Sequence, residues 1–101
     1  MAEFVKAAAL QDLPPGSAKA VEIAGKSVAL YNVGGSVFAT ANTCPHRGGP
    51  LGEGELAEGV VTCPWHRFQY DVKNGRCLTN TALSLSCHAV RLEGDSILVE
   101  V

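Results

Sequence analysis

The stretch CPWHRF, residues 63–68, sets Cys63 and His66 three positions apart with a proline and a tryptophan between them. Upstream, CPHR at residues 44–47 pairs Cys44 with His46. Along the chain the order is Cys44, one residue, His46, sixteen residues, Cys63, two residues, His66. Both segments carry proline directly after cysteine. The ring fixes φ and turns the backbone, so the paired side chains need not point to opposite faces as i and i+2 do in a strand. Each segment is then a small chelating claw with one thiolate and one imidazole. A single cysteine or histidine is commonly structural, but four of them in two matched Cys-Pro…His units point to a metal site. Cys2His2 is a usual zinc set, yet zinc sites tend to take both cysteines from one turn and both histidines from another. The mixed claws suit a binuclear centre in which one metal collects the thiolates and the other the imidazoles.

Length and composition limit what else the chain does. At 101 residues, 47% hydrophobic and 18% charged, it fits one globular domain with a modest core. A net charge of -2 and the lack of any Lys/Arg cluster argue against nucleic acid, whose phosphates require a basic face. The opening MAEFVKAAALQDLPPG is too short in apolar residues, and too interrupted by Glu3 and Lys6, for a signal peptide or a membrane span. A cytoplasmic protein without a membrane partner is expected.

Outside the claws the pattern is that of strands. SVALYNV at 27–33, SVFATA at 36–41 and SILVEV at 96–101 are rich in Val, Leu and aromatics and are separated by turn signals. Gly34-Gly35 predicts a hairpin, Asn74-Gly75 a type I′ turn after FQYDV, and Glu93-Gly94-Asp95 a turn before the last strand. In that strand Ile97, Val99 and Val101 alternate with Leu98 and Glu100, which predicts one buried and one wetter face. With no helical periodicity over ten residues, the expected fold is all-β, an antiparallel sandwich or barrel. Residues 43–59, rich in glycine with two prolines and three glutamates, read as an irregular loop.

CPHRGGPLGEGEL and TCPWHRFQYDVKNGR together resemble the Cys-x-His, sixteen-residue, Cys-x-x-His signature of the Rieske family, a specific motif, and the similarity to small Rieske-type ferredoxins extends over nearly the whole chain. The resemblance implies one 2Fe-2S cluster, with Cys44 and Cys63 on the inner iron and His46 and His66 on the outer one, the ligation known for such centres. It also implies a β-sandwich base, about 1–42 and 71–101, with an inserted cluster-binding segment, about 43–70. Rieske proteins of quinol-oxidising complexes carry an extra disulfide-forming cysteine in each loop, where this chain has Gly49 and Trp65. They also have Gly-Ser where this chain has Arg67-Phe68, so a hydroxyl donor to the cluster is missing, while Tyr70 matches the second donor. A hydrogen bond to a charged acceptor contributes about 1.5–3 kcal/mol, so its loss lowers the potential by at most roughly 60–130 mV. The lower part of the family range, roughly -150 to +300 mV, is expected.

Pro45, Arg47, Pro50, Leu51 and Trp65 are candidates for a docking patch around the histidines, with loop packing the plainer role for Leu51 and Trp65. Arg47 and Arg67 are either solvated charges or guides for an acidic partner. Cys77 and Cys87 are expected as buried thiols in strands, outside any disulfide. His88 is expected as a packed side chain sharing a strand face with Val90 and Leu92, and Glu53, Glu55 and Glu58 as a solvated loop face. The resemblance implies a soluble ferredoxin that passes single electrons from a flavin-dependent ferredoxin reductase to a terminal Rieske oxygenase. The alternative is the small subunit of an assimilatory nitrite reductase, bound to its large subunit. Catalysis by the chain itself is not expected. Once the cluster takes two of three histidines, only His88 remains, and a mononuclear iron site requires two with a carboxylate.

Overall fold

The computed structural model describes residues 4–23, 25–42, 51–64, 67–79 and 84–100. Its strands are β1 (Phe4–Ala9), β2 (Ala18–Ile23), β3 (Lys26–Val33), β4 (Ser36–Ala41), β5 (Glu55–Ala57), β6 (Val60–Thr62), β7 (Gln69–Asp71), β8 (Cys87–His88), β9 (Val90–Glu93) and β10 (Ser96–Glu100), with 3-10 turns at Leu10–Asp12 and Leu51–Glu53. They form three antiparallel sheets, ordered β1-β10-β9, β2-β3-β4-β8 and β5-β6-β7.

β3 explains how three sheets stack. It is central in its sheet, and its two faces enter different cores. Val28 and Leu30 join Ile23, Val37, Ala39, Ile97 and Val99 in the core shared with the β1-β10-β9 sheet. Ala29 and Tyr31 join Leu51, Val61, Cys63, Tyr70, Val72, Cys77 and Leu85 in the core shared with the β5-β6-β7 sheet. A period of two in an apolar run thus serves two neighbours, which is why SVALYNV shows no polar face. Leu30 and Leu51 are fully buried. Each such leucine contributes about 1.5–3 kcal/mol relative to exposure.

The expected turns hold with one change. Gly34 and Gly35 sit at φ 60 and 100 between paired Val33 and Ser36, as a two-residue type I′ hairpin requires. Glu93 pairs with Ser96, and Gly94 at φ 59 supplies the positive angle between them. At Asn74-Gly75 the type I′ reading is corrected. Only Gly75 has a positive φ, 76, and the Gly75 N–H donates to the Asp71 carbonyl at 2.7 Å. Asn74 instead accepts the Arg76 N–H on Oδ1 at 2.9 Å, a local side-chain bond that replaces one backbone turn with another. The last strand alternates as expected, with Ile97 and Val99 buried and Leu98 and Glu100 half-buried. Val101 lies outside the described residues.

The loop expected over 43–59 is only partly irregular. From Leu51 on it forms a 3-10 turn and then β5, whose Leu56 pairs with Val61. Glu58 and Gly59, at φ 51 and 79, turn β5 into β6. Leu51 and Leu56 drive this order by reaching the core under β3. Glycine richness, read as looseness, here marks close packing. A Cβ on Gly52 would stand 2.5 Å from the Ala20 nitrogen in β2, and one on Gly54 would run into the Thr62 carbonyl of β6.

Cys77 is buried and bridges to Tyr70 outside any named strand, whereas Cys87, expected buried, is exposed on β8 and is in no disulfide. Cys87 lies opposite Thr40 at the end of its sheet, where no further strand pairs with it among the described residues. His88 is half-buried, its Nδ1 3.0 Å from the Glu100 carbonyl. Its expected neighbour Leu92 is 43% exposed and lies on β9, which Ala89 separates from β8. Among the described residues no helix is long and apolar enough to cross a membrane.

Candidate metal centre

The second claw grows out of the β6-β7 ladder. Val61 pairs with Tyr70 and Thr62 with Gln69, and one step further the Cys63 N–H donates to the Phe68 carbonyl at 2.7 Å. The intervening segment, 64–67, therefore starts and ends at fixed points. Pro64 follows Cys63, where a missing N–H costs no ladder bond. Arg67 closes the turn at φ 56, a left-handed angle unfavourable for a residue with a Cβ. Arg67 thus keeps the turn at some cost in strain.

Cys63 is fully buried, in one core with Tyr31 and Tyr70. On its outer side lies a recess of about 250 Å³ lined by Glu53, Gly54, Glu55, Thr62, Cys63, Pro64 and Arg67. Glu53, Glu55 and Glu58 are exposed, as expected of a solvated face. Leu51 is not: at 0% exposure it is a core residue and cannot belong to a docking patch. Of the other patch candidates, Pro45, Arg47, Pro50 and Trp65 lie outside the described residues. So do the ligand candidates Cys44, His46 and His66. Among the described residues no three His, Cys, Asp or Glu side chains converge as a metal site.

Sequence reading passed over a buried hydroxyl pair. The Tyr31 Oη stands 2.9 Å from the Thr40 Oγ1, and both residues are at 0% exposure. The Thr40 hydroxyl donates to the Ala41 carbonyl at 3.0 Å, so the proton between the two hydroxyls belongs to Tyr31. Burial pushes the Tyr31 hydroxyl well above its ordinary range, against the lowering by Thr40, and the thiols of Cys87 and Cys63 push it further the same way. Burial also raises the Cys87 thiol, with a smaller push from the Asp71 carboxylate. The signal available in the sequence was position: Tyr31 is two residues from Ala29 and shares its face.

The residues present fit a cluster. A sulfur donor sits in a water-excluded core at a turn with a bonded neck, and the return of the first claw at 51–54 packs against Thr62, beside that donor. Soft thiolate donors in such a setting select iron–sulfur centres or zinc.

A three-sheet β protein with a buried cysteine in a turn and matched Cys/His segments is of the metal-binding class with soft donors, which holds iron–sulfur and zinc proteins alike. The chain belongs to the Rieske [2Fe-2S] domain family, whose model matches residues 3–91, and its cofactor is one Rieske-type 2Fe-2S cluster. It is 31% identical to the ferredoxin component of a naphthalene 1,2-dioxygenase system from Pseudomonas aeruginosa, over 98% of this chain and 96% of that protein. It is similar to the ferredoxin in a solved complex of reduced oxygenase and oxidized ferredoxin of carbazole 1,9a-dioxygenase, at 30% identity and a TM-score of 0.88, covering 95% of this chain and 91% of that one. It is also similar to the structure of a putative NADH-dependent nitrite reductase small subunit from Mycobacterium tuberculosis, at 25% identity and a TM-score of 0.91, covering 100% and 96%.

Proposed function

We propose that the chain is the ferredoxin component of a multicomponent oxygenase system, taking single electrons from a flavin-dependent reductase and passing them to a terminal oxygenase. The observation that carries this is the end-to-end match to a dioxygenase ferredoxin component, 98% of one chain on 96% of the other. Thiolates of Cys44 and Cys63 and imidazoles of His46 and His66 hold the cluster, on a segment of about 43–70 set on a base of about 1–42 and 71–101. The face of the β2-β3-β4-β8 sheet that packs against β5-β6-β7 supports that division. When bound, the cluster accepts and releases one electron at a time, and replacing two thiolates by neutral imidazoles raises its potential above that of an all-cysteine centre.

The chain's own residues do the rest. The core around Cys63 excludes water from the sulfur side, and Tyr70 in that core is the remaining candidate donor to it. His88, the one histidine outside the two claws, falls short of a mononuclear iron site, which requires two histidines with a carboxylate. The chain is thus an electron-transfer component and not a catalyst. Cys87, an exposed thiol outside any disulfide, suits the reducing cytoplasm.

Purified protein should show the visible absorption of an iron–sulfur centre with two irons and two sulfides per chain, and His46→Ala or His66→Ala should change it. A colourless protein prepared without oxygen, or a spectrum indifferent to both substitutions, would overturn the assignment. Imidazole ligands that ionise more readily in the oxidised state should make the midpoint potential fall at alkaline pH. The nitrite reductase small subunit is the second reading, favoured by the structural match over the whole chain. Turnover of an added oxygenase through a reductase in solution supports the shuttle; stable co-purification with a nitrite reductase large subunit supports the alternative.

A further inference from the structure

The two claws are closed at their necks by different means. The second is closed by strand pairing, Thr62 with Gln69 and then the Cys63 N–H on the Phe68 carbonyl. For the first, β4 ends at Ala41, and the chain returns at Leu51 as a 3-10 turn with no strand partner across the gap among the described residues. Residues 43–50 lie outside the described residues, but both their ends are described, and both are held by one residue.

To described residues, Asn42 makes four hydrogen bonds. Towards β3, its backbone N–H donates to the Ser27 carbonyl at 3.1 Å and its Nδ2 to the Ser27 Oγ at 3.0 Å. Towards the returning chain, its carbonyl accepts the Leu51 N–H at 2.8 Å and its Oδ1 accepts the Gly52 N–H at 2.7 Å. The returning chain is in turn seated where only glycine fits, since a Cβ at Gly52 would lie 2.5–2.8 Å from Ala20 of β2. Gly54, two residues on, abuts Thr62 just before Cys63. A continuous path of close contacts therefore runs from Ser27 through Asn42 and residues 51–54 to the neck of the second claw.

We infer that Asn42 is a positioning residue for the cluster, clamping both ends of the Cys44–His46 segment and fixing it relative to Cys63. This rests on the reading of Cys44 and His46 as ligands. A side-chain amide suits the place because it accepts from Gly52 and donates to Ser27 at once. A carboxylate keeps the first bond, and the Ser27 hydroxyl can rotate to donate to it, so Asn42→Asp preserves the clamp. Asn42→Ala leaves only the two backbone bonds.

The test compares wild type, Asn42→Ala and Asn42→Asp as loaded proteins, by amide hydrogen exchange and by the rate of cluster bleaching. Asn42→Ala should speed exchange at Leu51 and Gly52 about tenfold, the effect of one hydrogen bond of about 1.4 kcal/mol, while Val99 in β10 keeps its wild-type rate. Bleaching should speed by a similar factor, and Asn42→Asp should restore both within about threefold. Ser27→Ala, the milder change, should move the same two amides in the same direction. Unchanged exchange at those amides, equal acceleration at Val99, or faster exchange without faster bleaching would each overturn the inference. So would an Asn42→Asp protein that behaves like Asn42→Ala. Failure of the ligand reading shows elsewhere, as a spectrum unchanged in Cys44→Ser and His46→Ala.

Discussion

Gly52→Ala is the substitution for which steric reasoning commits to the largest effect. Gly52 does not lie in the left-handed region, so alanine is conformationally permitted there, and by backbone entropy alone the change would stabilise by about 0.4–1 kcal/mol. The surroundings reverse the sign. The new methyl would stand 2.5 Å from the nitrogen, 2.7 Å from the Cβ and 2.8 Å from the Cα of Ala20, whereas carbon atoms pack well at about 3.5–4.0 Å. Ala20 is held in register by its pairing with Ala29 of β3, so the 3-10 turn, with fewer bonds, is the part that moves. Overpacking of this kind costs about 1–3 kcal/mol. A displaced turn also gives up its bonds to the carbonyl and the Oδ1 of Asn42, at about 0.5–1.5 kcal/mol each. The net loss is about 1–5.5 kcal/mol, against the roughly 5–15 kcal/mol typical of a domain. In urea at 25 °C, without oxygen, the unfolding midpoint should fall by roughly 0.5 M or more. Gly34→Ala is the control: φ is +60 there and no atom lies within 4 Å of the added Cβ, so it carries only the left-handed penalty of about 1–2 kcal/mol. A Gly52→Ala protein as stable as the wild type, or more stable, would refute the close approach to β2.

Three further outcomes are expected. Arg67→Gly should raise the melting temperature by a few degrees, since relief of about 1–2 kcal/mol of left-handed strain exceeds the roughly 0.5–1 kcal/mol of added chain freedom, whereas Arg67→Ala should gain nothing; equal effects would mean that φ 56 is unstrained. Tyr31→Phe should cost about 0.5–1.5 kcal/mol at neutral pH by removing the bond to Thr40. Because the folded protein raises the Tyr31 hydroxyl above its ordinary 10.0, wild-type stability is full below pH 10 and falls as pH rises beyond it. Phenylalanine has no such loss, so the gap between the two should narrow above pH 10, and parallel pH curves would contradict the buried hydroxyl. A thiol-alkylating reagent should label the loaded protein fastest at Cys87, more slowly than a solvated thiol because burial and Asp71 raise that group, and Cys87→Ser should remove the fast phase.

What the sequence made legible follows from how far each signal reaches along the chain. Claw spacing and the period-two runs are local, and they sufficed for the family, the all-β class and the strands at β3, β4 and β10. Asn74-Gly75 was misjudged although it is local, because the Asn74 side chain competes for the backbone N–H of Arg76 and the dipeptide alone does not show which bond wins. The larger gaps concern contacts between distant segments. Glycines 52 and 54 look like loop filler until Ala20 and Thr62 are placed against them, and Leu51 looks like surface until β3 is seen to have two buried faces. Asn42 is the sharpest case. It is a polar residue after a strand, ordinary by composition, and its weight comes from partners 15 residues before it and 10 after it. The proposed ligands are read from the motif because chemistry selects residue types. The positioning of the ligands is spread over residues whose type is constrained only by the neighbours that folding brings, so the same cluster signature can sit on chains whose necks are tied quite differently.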